Sequence, residues 1–129
     1  MRREWYAPAT ARGIAFFAPL AFASSQAKLH EALAEINIHQ PNVPVISNVT
    51  AQPHGSPKEI QKLLVDQVTS SVRWEASMRY LLAQGFTRFI ELGPGKALSG
   101  FMRRIEPTAQ MLNVADLESL ETTVKTLRG

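Results

Sequence analysis

Arg88-Phe89-Ile90-Glu91-Leu92-Gly93-Pro94-Gly95-Lys96-Ala97-Leu98-Ser99-Gly100-Phe101-Met102-Arg103-Arg104-Ile105 is the stretch that decides the fold. Its first five residues form a short apolar-rich run that stops at Gly93-Pro94-Gly95, which reads as a strand ending in a sharp loop. From Ala97, the residues Leu98, Phe101, Met102 and Ile105 recur at helical spacing, and Pro107 ends the run. Gln110-Met111-Leu112-Asn113-Val114 reads as the next strand. Asp116 then caps a last helix carrying Leu117, Leu120, Val124 and Leu127. A helix between two short strands is a βαβ unit, so the sheet is parallel and its crossover right-handed.

The pattern continues toward the N-terminus. Arg73 to Ala83 reads as a helix, apolar at Trp74, Met78, Leu81 and Leu82 and closed by Gly85. Ser56-Pro57-Lys58-Glu59 is a helix start. Ser56 stands at the N-cap, Pro57 at the first helical position and Glu59 where a capping box needs it, and the helix runs to about Val68. Gln52-Pro53-His54-Gly55 is a turn. The β-branched run Val43-Pro44-Val45-Ile46-Ser47-Asn48-Val49 reads as a buried strand with Pro44 at its start. Leu29, Leu33 and Ile36 set an amphipathic helix over about 25–37, ended by Asn37 and the prolines 41 and 44. The expected class is therefore α/β, a partial parallel sheet of about three strands with flanking helices. So narrow a sheet leaves an edge open, and the chain looks like part of a larger α/β domain.

Composition narrows the function classes. The 129 residues are 45% hydrophobic and 19% charged, which suits one globular domain. No run of about 18 apolar residues is present, so no membrane-spanning helix is expected. Cysteine is absent, which removes disulfides, thiolate metal sites and thiol nucleophiles. The net charge of +3 falls within the first 28 residues, where Arg2, Arg3, Arg12 and Lys28 face Glu4 alone. The remainder is balanced, so no basic face for nucleic acid is expected. Those first residues also differ in kind. Arg2, Arg3 and Arg12 precede the apolar run from Gly13 to Ala23, and Ala21-Phe22-Ala23 resembles the end of a secretory signal peptide, although Pro19 and Glu4-Trp5 fit it less well.

Each chemical motif has a plain structural counterpart. The Gly93–Lys96 loop opens a helix and could offer N–H groups to an anion. It is neither a P-loop nor a dinucleotide fingerprint, and the favoured reading is a tight turn where glycines allow close packing. His30, His39 and His54 have no metal-type spacing and read as solvated side chains, so no metal is expected. No serine sits in a G-x-S-x-G elbow, and Ser24, Ser25, Ser70 and Ser71 read as caps or turns. Gln67 stands at a helix end, where its backbone carbonyl lacks an intrahelical partner and could hold an imidazole N–H in one tautomer.

Three strings, in order, carry a resemblance. They are Val43-Pro44-Val45-Ile46-Ser47-Asn48-Val49-Thr50-Ala51, Leu64-Val65-Asp66-Gln67-Val68-Thr69-Ser70-Ser71-Val72-Arg73-Trp74, and Phe89-Ile90-Glu91-Leu92-Gly93-Pro94-Gly95-Lys96-Ala97-Leu98-Ser99-Gly100. Together they resemble the C-terminal third of the malonyl-CoA:acyl-carrier-protein transacylase family, over about 29–116. Polyketide acyltransferase domains share the pattern, but the last string favours the stand-alone bacterial type. The resemblance implies an α/β-hydrolase-like core with an inserted ferredoxin-like subdomain, and a cytoplasmic enzyme of fatty-acid synthesis. Its partners would be acyl carrier protein and malonyl-CoA, without a cofactor. It also implies a Ser nucleophile in a G-H-S-x-G elbow, a His base in F-H-S, an Arg for the malonyl carboxylate and a Gln carbonyl that orients the His. Only the Gln maps here, onto Gln67.

The departures shape the expectation. The elbow is absent, and Phe22-Ala23-Ser24-Ser25 stands where F-H-S would be, with Ala23 in place of His. Residues 1–28 therefore read as a non-matching leader, disordered or frame-shifted, and 29–129 as the C-terminal part of an acyltransferase domain. The expected function is S-malonyltransferase scaffold, inactive alone. The alternatives are a module that binds acidic carrier protein through Arg79, Arg88, Arg103 and Arg104, or a subunit complemented in trans by an N-terminal fragment. Apolar faces without partners should be exposed.

Overall fold

The computed structural model describes residues 20–129 and divides into two compact units, one up to Ser77 and one from Met78 to Gly129. The basic and apolar leader up to Pro19, and with it most of the signal-peptide reading, lies outside the described residues. The elements are α1 (Leu20–Ala34), α2 (Pro57–Asp66), α3 (Trp74–Ala83), β1 (Arg88–Leu92), α4 (Ala97–Ile105), β2 (Gln110–Val114) and α5 (Leu117–Arg128).

In the first unit α1 lies against α2. Leu29 and Leu33 are half-buried, and two glutamines tie the helices: Gln26 Nε2 donates to Val65 O at 3.3 Å, Gln61 Nε2 to Leu33 O at 2.7 Å. The spacing over 25–37 misplaces both ends of α1. The helix starts at Leu20, and it stops at Ala34 because the Ile36 N–H turns back onto Leu33 O at 3.2 Å, leaving Ile36 exposed. Ser56 Oγ accepts from Glu59 N–H at 3.3 Å and starts α2 as its sequence requires. The unit buries Ala51, Leu63, Ser47 and Ser77.

The strand expected over 43–49 does not form. Only an isolated antiparallel bridge joins Ile46 to Pro53. Ser47 N–H donates to Gln52 O and His54 N–H to Val45 O, so the segment folds back on its own turn and has no neighbouring strand. Val43, 72% exposed, has nothing to pack against. A β-branched run becomes a strand only where a partner supplies the ladder, so among the described residues the sheet has two strands, not three.

The second unit is the βαβ unit read from the sequence. β1 and β2 are parallel, with Arg88 opposite Gln110 and Leu92 opposite Val114. α4 packs its Met102 and Ser99 inward, Met102 being fully buried. α5 packs beside β2 with Thr123 buried. Of the expected apolar stripe of α5 only Val124 is half-buried, while Leu117, Leu120 and Leu127 are exposed, Leu117 by 70%.

Candidate functional site

α2 ends at Asp66, and Gln67 is its C-cap, still helical at φ −65°, ψ −19°. Its N–H donates to Leu63 O at 3.0 Å. The next residues close a tight turn: Val68 N–H reaches Val65 O at 3.3 Å, and Ser70 Oγ donates to Asp66 O at 2.7 Å. Arg73 then anchors the turn to the 48–50 segment. Its N–H donates to Asn48 O at 2.9 Å and its Nη1 to Thr50 O at 3.1 Å. The 48–50 segment is itself braced by Ser47 Oγ, which accepts from the N–H groups of Val49 and Thr50. Two of the three strings thus meet in the first unit, with the Gln67 peptide on a braced helix end.

One sequence reading changes here. His30 and His39 are exposed as expected, but His54 is half-buried and its Nδ1 is enclosed without a hydrogen-bond partner. Trp74 Nε1 is enclosed and unpartnered in the same way. Neither had a local signal, because burial of a loop side chain depends on what folds over it.

The Gly93–Lys96 loop belongs to the second unit. Its helix N-terminus already has an anion: the Glu91 carboxylate accepts from Leu98 N–H at 3.2 Å, Ser99 N–H at 2.9 Å and Ser99 Oγ at 2.6 Å. Lys96, at the N-cap, gives no side-chain cap of its own. Partial burial alone would raise the Glu91 carboxyl, but the bonds from Ser99 and Leu98 outweigh it and hold it below the ordinary carboxylate value. An external anion would have to displace Glu91. The glycines do not serve close packing either. A Cβ on Gly93 or Gly95 would meet nothing within 4 Å, and what the positions demand is positive φ, 131° and 90°. Asn113 Nδ2 closes the loop onto Gly95 O at 2.9 Å.

Three serine hydroxyls bond to neighbouring backbone or carboxylate groups. Those of Ser77, Ser99 and Ser119 donate to Arg73 O, the Glu91 carboxylate and Asp116. No group of three His, Asp or Glu among the described residues is arranged to hold a metal. An open cleft of about 400 Å³ between α4, β2 and α5 is lined by Lys96 and Arg103 but also by Asp116 and Glu118, a mixed-charge surface with no convergent set of groups. Gln67 is thus held at the C-cap of α2 by a hydrogen-bonded turn. None of their helices is long and apolar enough to cross a membrane.

Comparison with known proteins agrees with the three strings. No family model matches the chain. It is 41% identical over 101 residues to the malonyl CoA-acyl carrier protein transacylase of Bacillus subtilis, covering 78% of this chain but 32% of that protein. The transacylase structure from Clostridium perfringens superposes with a TM-score of 0.75 at 39% identity, over 81% of this chain and 33% of that one. A type II polyketide acyl-carrier protein in complex with its malonyl-transacylase gives 0.75 at 32% identity, over 79% and 33%. The matched part is the C-terminal portion of these proteins, so the chain spans about a third of the relatives it matches.

Proposed function

We propose that this chain, which corresponds to the C-terminal portion of a malonyl-CoA:acyl-carrier-protein transacylase, is the scaffold behind an S-malonyltransferase centre. In that reading residues 29–129 are acyltransferase domain and 1–28 are unrelated leader, and the setting is cytoplasmic. A serine from elsewhere attacks the malonyl thioester, and a histidine from elsewhere takes its proton and returns it to the leaving thiol. The Gln67 carbonyl accepts the other imidazole N–H, which fixes the tautomer and stabilises the imidazolium as it forms. Acyl carrier protein and malonyl-CoA are the partners, and no cofactor is needed.

The observation that carries this reading is the Gln67 peptide, set at the C-cap of α2 on a turn anchored by Arg73 to the 48–50 segment. Loss of nucleophile and base removes most of the rate enhancement, since such groups act as a unit. The chain alone should therefore give no malonyl transfer from malonyl-CoA to carrier protein. Joined by the N-terminal part of a transacylase, it should give transfer. Turnover by the purified chain alone would contradict the proposal.

A second reading has support in Arg103 and Arg104, both exposed on the last turn of α4. As a carrier-protein module the chain would bind an acidic carrier in low salt and release it near 1 M salt, where the screening length shrinks to about 3 Å.

A further inference from the structure

The loop 47–51 gathers its amides on one residue. The N–H groups of Val49 and Thr50 donate to Ser47 Oγ at 3.2 and 3.4 Å, and the N–H of Ala51 donates to Ser47 O at 2.9 Å. Three successive amides thus converge on Ser47, itself buried. The carbonyls of Asn48 and Thr50 are left for another partner, and both go to Arg73. Asn48 O accepts from its N–H at 2.9 Å and Thr50 O from its Nη1 at 3.1 Å. The arrangement puts Ala51 at a φ of 58°, in the left-handed region, at a buried position. Backbone held there persists only where its surroundings fix it, and such residues cluster at functional sites.

Arg73 is fixed on its other side as well. Its carbonyl accepts from Ser77 N–H and from Ser77 Oγ, each at 3.0 Å, and Ser77 is buried. Residues 68–72 alone separate Arg73 from Gln67, and their near end is tied by Ser70 Oγ on Asp66 O. A single backbone bond from Arg73 to Asn48 would leave the segment able to rotate about that bond. The guanidinium contact with Thr50 removes the rotation, because two bonds to one braced loop define an orientation. The donor is charged, and bonds from charged donors are about twice as strong as neutral ones.

We propose that Arg73 is a positioning residue of the transfer reaction: its guanidinium, clamped on the 47–51 loop, sets the orientation of the turn that carries the Gln67 carbonyl. This deepens the transacylase reading and rests on it for the imidazole that the carbonyl meets. Arg73 itself touches neither substrate nor imidazole. Its contribution is the fraction of molecules in which the carbonyl is aligned, so its loss lowers kcat and leaves the binding of malonyl-CoA alone. Losing one bond from a charged donor corresponds to a factor of about ten.

The test pairs this full chain with the part of the Bacillus subtilis transacylase that lies outside the 101-residue match and measures malonyl transfer to carrier protein. Arg73→Met, which keeps an aliphatic stem and removes the donor, should lower kcat about tenfold with KM for malonyl-CoA unchanged. Arg73→Lys, which keeps a charged donor on a long stem, should recover most of that loss. Lys58→Met, on the exposed first turn of α2, should match the parent. In this chain alone, Arg73→Met should speed hydrogen exchange at Val68 and Thr69 and leave the interior of α2 unchanged. The clamp is overturned by Arg73→Met turning over like the parent, by a loss carried in KM, or by Arg73→Lys failing as badly as Arg73→Met. It is also overturned by loss of protection throughout α2, which marks general destabilisation. A parent complex without turnover sinks the transacylase reading instead, and exchange at Val68 and Thr69 then decides the clamp by itself.

Discussion

Glu91 is the residue on which the second unit turns. It sits on a strand, and its carboxylate takes the place of an N-cap for α4, accepting two backbone N–H groups and one hydroxyl. Because these bonds lower its carboxyl below the ordinary value of 4.5, the stabilisation is present above that value and is lost as pH falls through the depressed one. Thermal midpoints measured from about pH 6 to pH 3 should drop, and Glu91→Gln should be less stable at pH 6 and flatten the drop. An unchanged slope in the variant would assign the acid sensitivity elsewhere. Gly95 is the second such residue. At φ 90° with open space around it, Gly95→Ala should cost about 1–2 kcal/mol in urea unfolding from conformation alone. Ala51 is a non-glycine at φ 58° and is buried. A β-branched side chain fits neither that φ nor that space, so Ala51→Val should lose more than about 2 kcal/mol.

Among the elements, α5 tests how far periodicity can be trusted. Its leucines recur at helical spacing, yet Thr123 is the buried residue, 5% exposed, while Leu117, Leu120 and Leu127 face out. Leu120→Lys should therefore stay within about 0.5 kcal/mol of the parent, as surface changes do, whereas Thr123→Lys should cost more than about 2 kcal/mol. The opposite ranking would put the leucines in the core. The turn after α2 carries the functional counterpart. If the Gln67 carbonyl orients an imidazole, Gln67→Ala changes little in the complex with an N-terminal part, because the side chain is not the acceptor. Val68→Pro removes the N–H bonded to Val65 O and pushes Gln67 out of its helical ψ of −19°. Misplacing an orienting group costs on the order of 100-fold in rate, and kcat in that complex should fall accordingly with the chain still folded.

For the whole molecule the decisive quantity is uncovered apolar surface. The described residues bury few large side chains, Leu63, Met78 and Met102 among them, while Val43, Leu92 and Leu117 are mostly exposed. Such a chain should bind an apolar dye and melt over a broad range, and the dye should be released as the N-terminal part of a transacylase is added. A sharp monomeric transition without dye binding would mean that the fold is self-sufficient. Much of this was legible in advance. Ser56 and Asp116 announced their helices, Gly93-Pro94-Gly95 announced the turn, and three strings in order announced the family's C-terminal portion, because caps, turns and strings are local in sequence. The 43–49 strand, the burial of His54 and the outward face of α5 were not legible, since each depends on which surface lies opposite.

By itself, then, the amino-acid order determined the helix caps, the βαβ unit and the place of Gln67, since backbone propensity and side-chain-to-backbone bonds act over a few residues. Only the folded chain decided that Glu91 caps α4 through Leu98, seven residues away, that β1 pairs on one side alone among the described residues, and that residues 43–49 turn back instead of pairing. Those outcomes depend on which groups meet in space, and a strand or a helix face takes its role from the surface it finds there.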